Sequence, residues 1–199
     1  MKVYASEQFY HVYSRGVAKE PVFRDAQDYE YFIHLLKRYL SDEPATSSAR
    51  VKYPWYGNRI ELLAFCLMQN HIHMLIYQYD EKAMPDLMKS LMTSYGMYFN
   101  LRHKRVGPVF QGRYRASRIS SDSYLHHISR YIHLNPKEWR TYAYSSLSSY
   151  YSNNSEEWIK PGRILELFNS PDEYRIFMSD YEENKQMLDE IKWELASDL

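Results

Sequence analysis

Cysteine is almost missing from this 199-residue chain: Cys66 stands alone. A single thiol closes no internal disulfide, which fits a reducing compartment. Long apolar runs are missing too. The longest, Leu62 to Met68, falls far short of the ~20 residues that span a bilayer. The opening MKVYASEQFYHVYSRG lacks the apolar core of a signal peptide. Net charge is zero, 25 basic side chains against 25 acidic ones, and no repeat or low-complexity tract interrupts the chain. These absences exclude a disulfide scaffold, a membrane-spanning protein and a disordered tail-like chain. The expectation is a soluble cytoplasmic protein with no membrane partner, long enough to bury on the order of 70% of its unfolded surface without a staple.

What is present in excess is tyrosine, 21 residues beside 8 Phe and 4 Trp. Tyrosine is both a stacking surface and a hydroxyl nucleophile. The zero net charge also conceals an asymmetry. Residues 99–140 carry nine basic side chains (Arg102, Lys104, Arg105, Arg113, Arg115, Arg118, Arg130, Lys137, Arg140) against Asp122 and Glu138. Residues 151–199 carry five basic and twelve acidic ones. A basic block inside a neutral chain is the footprint of a phosphate-binding surface, or of a face that pairs with the acidic tail.

Hydrophobic periodicity orders the elements. Phe9 to Ser14 reads as a strand that Gly16 ends. Asp25 to Leu40 reads as a helix through Tyr29, Phe32, Ile33, Leu36 and Leu40. Ile60 to Met68 and His71 to Tyr77 read as two strands across a tight Gln69-Asn70 connection. Met84, Leu87, Met88, Leu91, Tyr95 and Tyr98 mark a long amphipathic helix that Gly107-Pro108 breaks. Val109 to Ile119 looks extended. Ser121 is placed to cap a helix that runs to about Leu134, before Asn135-Pro136. The order β-α-β-β-α-β-α predicts an α+β fold: a ferredoxin-like antiparallel sheet with helices packed on one face. After residue 151 the acidic segment 152–199 reads as a helical C-terminal extension, with Leu165, Phe168, Ile176, Phe177, Leu188, Ile191 and Leu195 on its apolar sides.

Two places in this order concentrate reactive side chains. On a strand, residues two apart point the same way, so His71 and His73 project together while Ile72 points to the core. Two imidazoles on a rigid strand are half of a metal site, or simply the polar face of an edge strand. In the helix containing Arg130-Tyr131-Ile132-His133-Leu134-Asn135, residues four apart sit one above the other. Leu125, Ile128 and Ile132 form the buried stripe, and Tyr131 and Asn135 look out together beside it.

The segments MQNHIHMLI, GPVFQGRYRA, YLHHISRYIHLNP and YAYSSLSSY, in that order, with the opening YHVYSRGVAKEPVF, resemble the single-tyrosine HUH transposases, the REP-associated tyrosine transposases in particular. The resemblance covers about residues 9–151. It implies a transposase domain over residues 1–151, a DNA endonuclease that cleaves and rejoins single-stranded, hairpin-containing DNA. It places the metal-binding histidines on His71 and His73, the nucleophile on Tyr131, and the metal-completing polar residue on Asn135. The cation implied is Mg2+ or Mn2+, and a homodimer is compatible with the family. Gln69 stands where a proline is common in that family, and Lys137-Glu138-Trp139 where Val-Arg-Ala is usual.

On this reading Tyr131 attacks a scissile phosphate and leaves a 5′-phosphotyrosine and a free 3′-hydroxyl, so rejoining needs no ATP. Arg113, Arg115, Arg118, Arg130, Lys104 and Arg105 are the expected DNA-binding residues, and exposed tyrosines would stack bases. Tyr124 and Tyr114 are the rival nucleophiles. The alternative is a catalytically inactive, domesticated hairpin-binding protein of the same fold.

Overall fold

The computed structural model describes residues 4–47, 50, 52–120, 122–151 and 156–180. Four strands, β1 (Gln8–Arg15), β2 (Ile60–Met68), β3 (His71–Gln78) and β4 (Arg115–Ile119), form one sheet in the order β2-β3-β1-β4. Every neighbouring pair is antiparallel. With α1 (Ala26–Leu40) between β1 and β2, and α2 (Ala83–Arg102) between β3 and β4, this is the ferredoxin-like arrangement expected of the sequence. β4 is shorter than the extended stretch predicted. Residues 107–112 form a loop with Gly107 and Gly112 at positive φ, and Phe110 bridges to Gly16. A Cβ on Gly16 would collide with the carbonyl oxygen of Glu20, so glycine is required where β1 turns away.

Alternation along β3 separates the two faces. Ile72, Met74 and Ile76 join the core under α1 and α2, with Phe32, Leu36, Leu87, Leu91 and Tyr95. Asp25 caps α1 by accepting from the Asp28 amide at 3.3 Å. The buried Asp28 carboxylate ties α1 to the end of α2 through Arg102 at 2.7 Å and His103 at 2.9 Å. β2 is buried at every position from Leu62 to Leu67, which requires cover on both faces. On the second face α3 (Asp122–His133) supplies that cover, its Leu125, Ile128 and Ile132 packing with Leu63, Ala64, Cys66 and Leu75. The expected stripe is therefore the buried one. Helices on one face describes α1 and α2, and α3 adds a layer across the other.

The short helices α4 (Leu147–Tyr151), α5 (Gly162–Leu165) and α6 (Pro171–Ser179) follow. Ile176, expected on the apolar side of α6, is 60% exposed; Tyr174 and Met178 take that side and are fully buried in the core that contains α3. The period of the helix puts 174 and 178 one above the other, and that pair wins because an aromatic and a methionine fill more of the gap than Ile176 alone. Ser121, Leu188, Ile191 and Leu195 lie outside the described residues. Among the described residues no helix is long and apolar enough to cross a membrane.

Candidate active site

Backbone register brings the reactive side chains to one end of the second face. Tyr13 pairs with His73 and Arg15 with His71 across β1–β3, and Cys66 and Met68 pair with the same two histidines from β2. His71 and His73 do share a face, with ring centroids 5.0 Å apart, and Ile72 is buried on the other side. Tyr131 reaches the pair from α3. Its ring lies edge-on to His73 at 5.4 Å and to His11 at 5.9 Å. Asn135, one turn on, places Oδ1 at 3.1 Å from His71 Nε2. Thus His71, His73, Tyr131 and Asn135 come together. Tyr114, a rival nucleophile, instead stacks on Tyr4.

The contacts of the two histidines occupy both Nδ1 atoms. His71 Nδ1 meets Asn70 Oδ1 at 2.6 Å, and His73 Nδ1 meets His11 Nε2 at 2.9 Å. The Nε2 atoms remain. A neutral imidazole has one N–H, yet both nitrogens of His71 face carboxamide oxygens as the amides are oriented here. One of these contacts sets two lone pairs against each other. Double protonation of the ring would relieve it, but burial pushes the His71 pKa down. A flip of the Asn135 carboxamide relieves it, and so does a cation between Nε2 and Oδ1. Two imidazoles and an amide oxygen therefore fit a divalent cation, with open positions for phosphate oxygens. Among the described residues no three His, Cys, Asp or Glu side chains form a metal site, so this mixed set is what such a cation would rest on.

Burial also pushes the Tyr131 hydroxyl up from its ordinary value, while a hydrogen bond to Asn135 and the charge of Arg15 pull the other way. Arg15 acts on His71 and His73 in the same sense. The Cys66 thiol is buried and pushed up, and its sulfur lies 3.7 Å from Met68 Sδ, so it offers no nucleophile.

The basic residues divide. Arg115, opposite Tyr13, lies on the histidine face, half-buried, with Nη1 buried and lacking a partner among the described residues. Arg118 pairs with Tyr10 on the other face, and its Nε donates to Gln8 Oε1 at 2.9 Å. Arg113 and Lys104 are exposed, and Arg105 lies over the Phe99 ring at 5.6 Å. Arg130, expected to meet phosphate beside Tyr131, faces elsewhere. It is fully buried under α6, donating to the Phe177 carbonyl at 3.1 Å, 2.9 Å from His127 Nδ1, and 4.0 Å over the Phe177 ring. The helical turn places position 130 about 100° from position 131, so the two neighbours serve different surfaces.

Sequence reasoning missed His11 and Arg15. Both were visible as odd-numbered positions of β1, on the face of Tyr13, but their pairing with the β3 histidines depends on strand order, which no local pattern states.

Residues 50–135 match the family model described as "Transposase IS200 like", a span that holds both histidines, Tyr131 and Asn135. The resemblance read from the sequence is upheld. The REP-associated tyrosine transposase solved bound to a REP hairpin is similar in structure, with a TM-score of 0.50 and 14% identity over 82% of this chain and 91% of that one. A candidate transposase from Deinococcus radiodurans R1 gives a TM-score of 0.42 and 17% identity, over 66% and 93%. No curated protein matches the chain significantly.

Proposed function

We infer that this chain, whose residues 50–135 match the IS200-like transposase model, cuts and rejoins single-stranded DNA through Tyr131, on DNA that carries a hairpin. The single observation that carries this reading is the meeting of Tyr131 from α3, and Asn135 just beyond its end, with His71 and His73 from β3. A divalent cation, Mg2+ or Mn2+, held by His71 Nε2, His73 Nε2 and Asn135 Oδ1, would polarise the scissile phosphate and fix its orientation.

The rest of the chemistry belongs to the chain. The Tyr131 oxygen attacks phosphorus as the bond to the 3′ oxygen breaks. The phosphate stays on tyrosine as a 5′-phosphotyrosine, and the proton lost by tyrosine is balanced by the one the 3′ oxygen gains. Burial opposes ionisation of the free hydroxyl, and the Arg15 charge and the Asn135 hydrogen bond favour it. The reverse attack by the 3′-hydroxyl restores a phosphodiester. Arg115 and the exposed Arg113 and Lys104 hold backbone phosphates. Residues 1–151 are the catalytic unit on this reading, and the extension that follows docks on α3.

The test is incubation with end-labelled single-stranded hairpin DNA and Mn2+, followed by a denaturing gel. A covalent protein–DNA band that disappears with chelator supports the reading. Hairpin binding with no covalent band under any divalent metal would replace it with the inactive binding protein.

A further inference from the structure

His11 belongs to the opening motif of the chain, and nothing in the chemistry above uses it. It is fully buried in the middle of β1, and its Nε2 lies 2.9 Å from His73 Nδ1, the rings stacked at 13°. Its own Nδ1 is buried and has no hydrogen-bond partner among the described residues. A core position in a central strand ordinarily takes an apolar residue, as Val12 and Met74 show nearby. An imidazole with one satisfied nitrogen is a costly choice there unless that one bond has a use.

We propose that His11 is a positioning residue for the cation site: it accepts the Nδ1 proton of His73, and so presents the lone pair of His73 Nε2 to the metal. The argument is one of proton counting. Each neutral imidazole carries one N–H. For His73 Nε2 to coordinate, the His73 proton must sit on Nδ1, where the acceptor in hydrogen-bond reach among the described residues is His11 Nε2. His11 must then keep its proton on Nδ1, where it finds no partner. The opposite arrangement, His11 donating to His73 Nδ1, places the His73 proton on Nε2 and blocks coordination. The orphaned Nδ1 of His11 is thus a feature the metal-ready state requires. Metal-binding histidines usually donate to a carboxylate or a backbone carbonyl. An imidazole acceptor holds the ring in the same way without adding negative charge, which leaves the charge of the cation directed at phosphate.

This inference rests on the metal reading above, and its test separates the two. Mn2+ binding is measured calorimetrically on the full chain without DNA, for wild type, His71→Ala, His11→Leu and His11→Gln. His71→Ala is expected to abolish binding. His11→Leu, which keeps bulk but accepts nothing, is expected to weaken it about 10- to 100-fold. His11→Gln, whose Oε1 can accept, is expected to remain close to wild type. Thermal unfolding of the metal-free proteins accompanies the series, because a merely structural role would lower stability in both His11 variants and leave the order of affinities unexplained. If His11→Leu does not fold, nitrogen-15 spectra of the wild type with Mg2+ decide instead: His73 protonated on Nδ1 is expected. Wild-type affinity in His11→Leu, or a His73 proton on Nε2 with Mg2+ bound, overturns the proposal alone. A wild type that binds no Mn2+ overturns it together with the metal reading.

Discussion

Two clusters of histidine and tyrosine flank the same helix, and they differ in how their hydrogen bonds close. In the first, His133 is fully buried between two hydroxyls, with Nδ1 2.9 Å from Tyr174 OH and Nε2 2.8 Å from Ser146 Oγ, and Ser129 Oγ lies 3.2 Å from the same tyrosine. Hydroxyls rotate to donate or accept, so a neutral imidazole satisfies both. In the second, His71 faces two carboxamide oxygens and the His11–His73 pair leaves a nitrogen over. Carboxamide oxygens only accept. The same residue types thus build a closed knot that fastens α6 to α3 and an unclosed one with room to accept a cation. Chemistry is to be sought where the hydrogen-bond accounts fail to balance.

The largest expected difference between the clusters is between their tyrosines. Tyr131→Phe is expected to eliminate the covalent DNA adduct at a stability cost of about 1 kcal/mol, that of one half-buried hydrogen bond. Tyr174→Phe is expected to do the reverse, retaining the adduct below its melting point and losing on the order of 1–3 kcal/mol of stability, because His133 and Ser129 are left short of a buried partner. Adduct yield and thermal denaturation, measured side by side, check both. Loss of the adduct in Tyr174→Phe at full folding would erase the distinction.

The arginines give the next contrast. Arg130→Ala is expected to destabilise by roughly 1–3 kcal/mol, since the Phe177 carbonyl loses a buried donor, with the salt dependence of DNA binding unchanged. Arg113→Ala is expected to leave stability alone and to lower the slope of log affinity against log salt by about one unit at most. Binding titrations from low to moderate salt read both. An Arg130 variant with a flattened slope would return that residue to the DNA surface.

The last contrast is in acid and touches only the closed cluster. Burial pushes the His133 pKa down to about 3 from the ordinary 6.5. The unfolded chain therefore binds a proton that the folded one refuses, and stability is full above pH 6.5 and falls as pH drops towards 3. The slope is about 1.4 kcal/mol per pH unit for one such group. His133→Gln should make the decline in stability between pH 6 and 4 shallower by about that amount, which denaturant unfolding across this range measures. An unchanged slope would mean that His133 is not a neutral member of the closed cluster.

Much of this was legible in the sequence. Alternation in HIHMLI placed both histidines opposite Ile72, and the Leu125, Ile128, Ile132 stripe was read as the buried side of α3, with Tyr131 and Asn135 together beside it. These readings depend only on local period. Three things were hidden because they depend on tertiary neighbours. Strand order decides that β1 lies beside β3, which gives His11 and Arg15 their place. The docking of α6 decides that Arg130 is a core residue rather than a phosphate ligand. The buried run of β2 was visible, but not which helix would cover its second face. The basic block was read as one surface, whereas Arg115 and Arg118 lie on opposite faces of the sheet.

The assignment of Tyr131 as nucleophile is tested most directly by locating the bond. The adduct formed with hairpin DNA and Mn2+ is trapped, its DNA digested to a nucleotide remnant, and the protein cleaved with trypsin. Cleavage after Arg130 and after Lys137 releases Tyr131–Lys137, YIHLNPK, which contains a single tyrosine. Mass spectrometry should find the nucleotide mass on that peptide. The same mass on the peptide bearing Tyr124, Tyr114 or any other tyrosine would contradict the assignment.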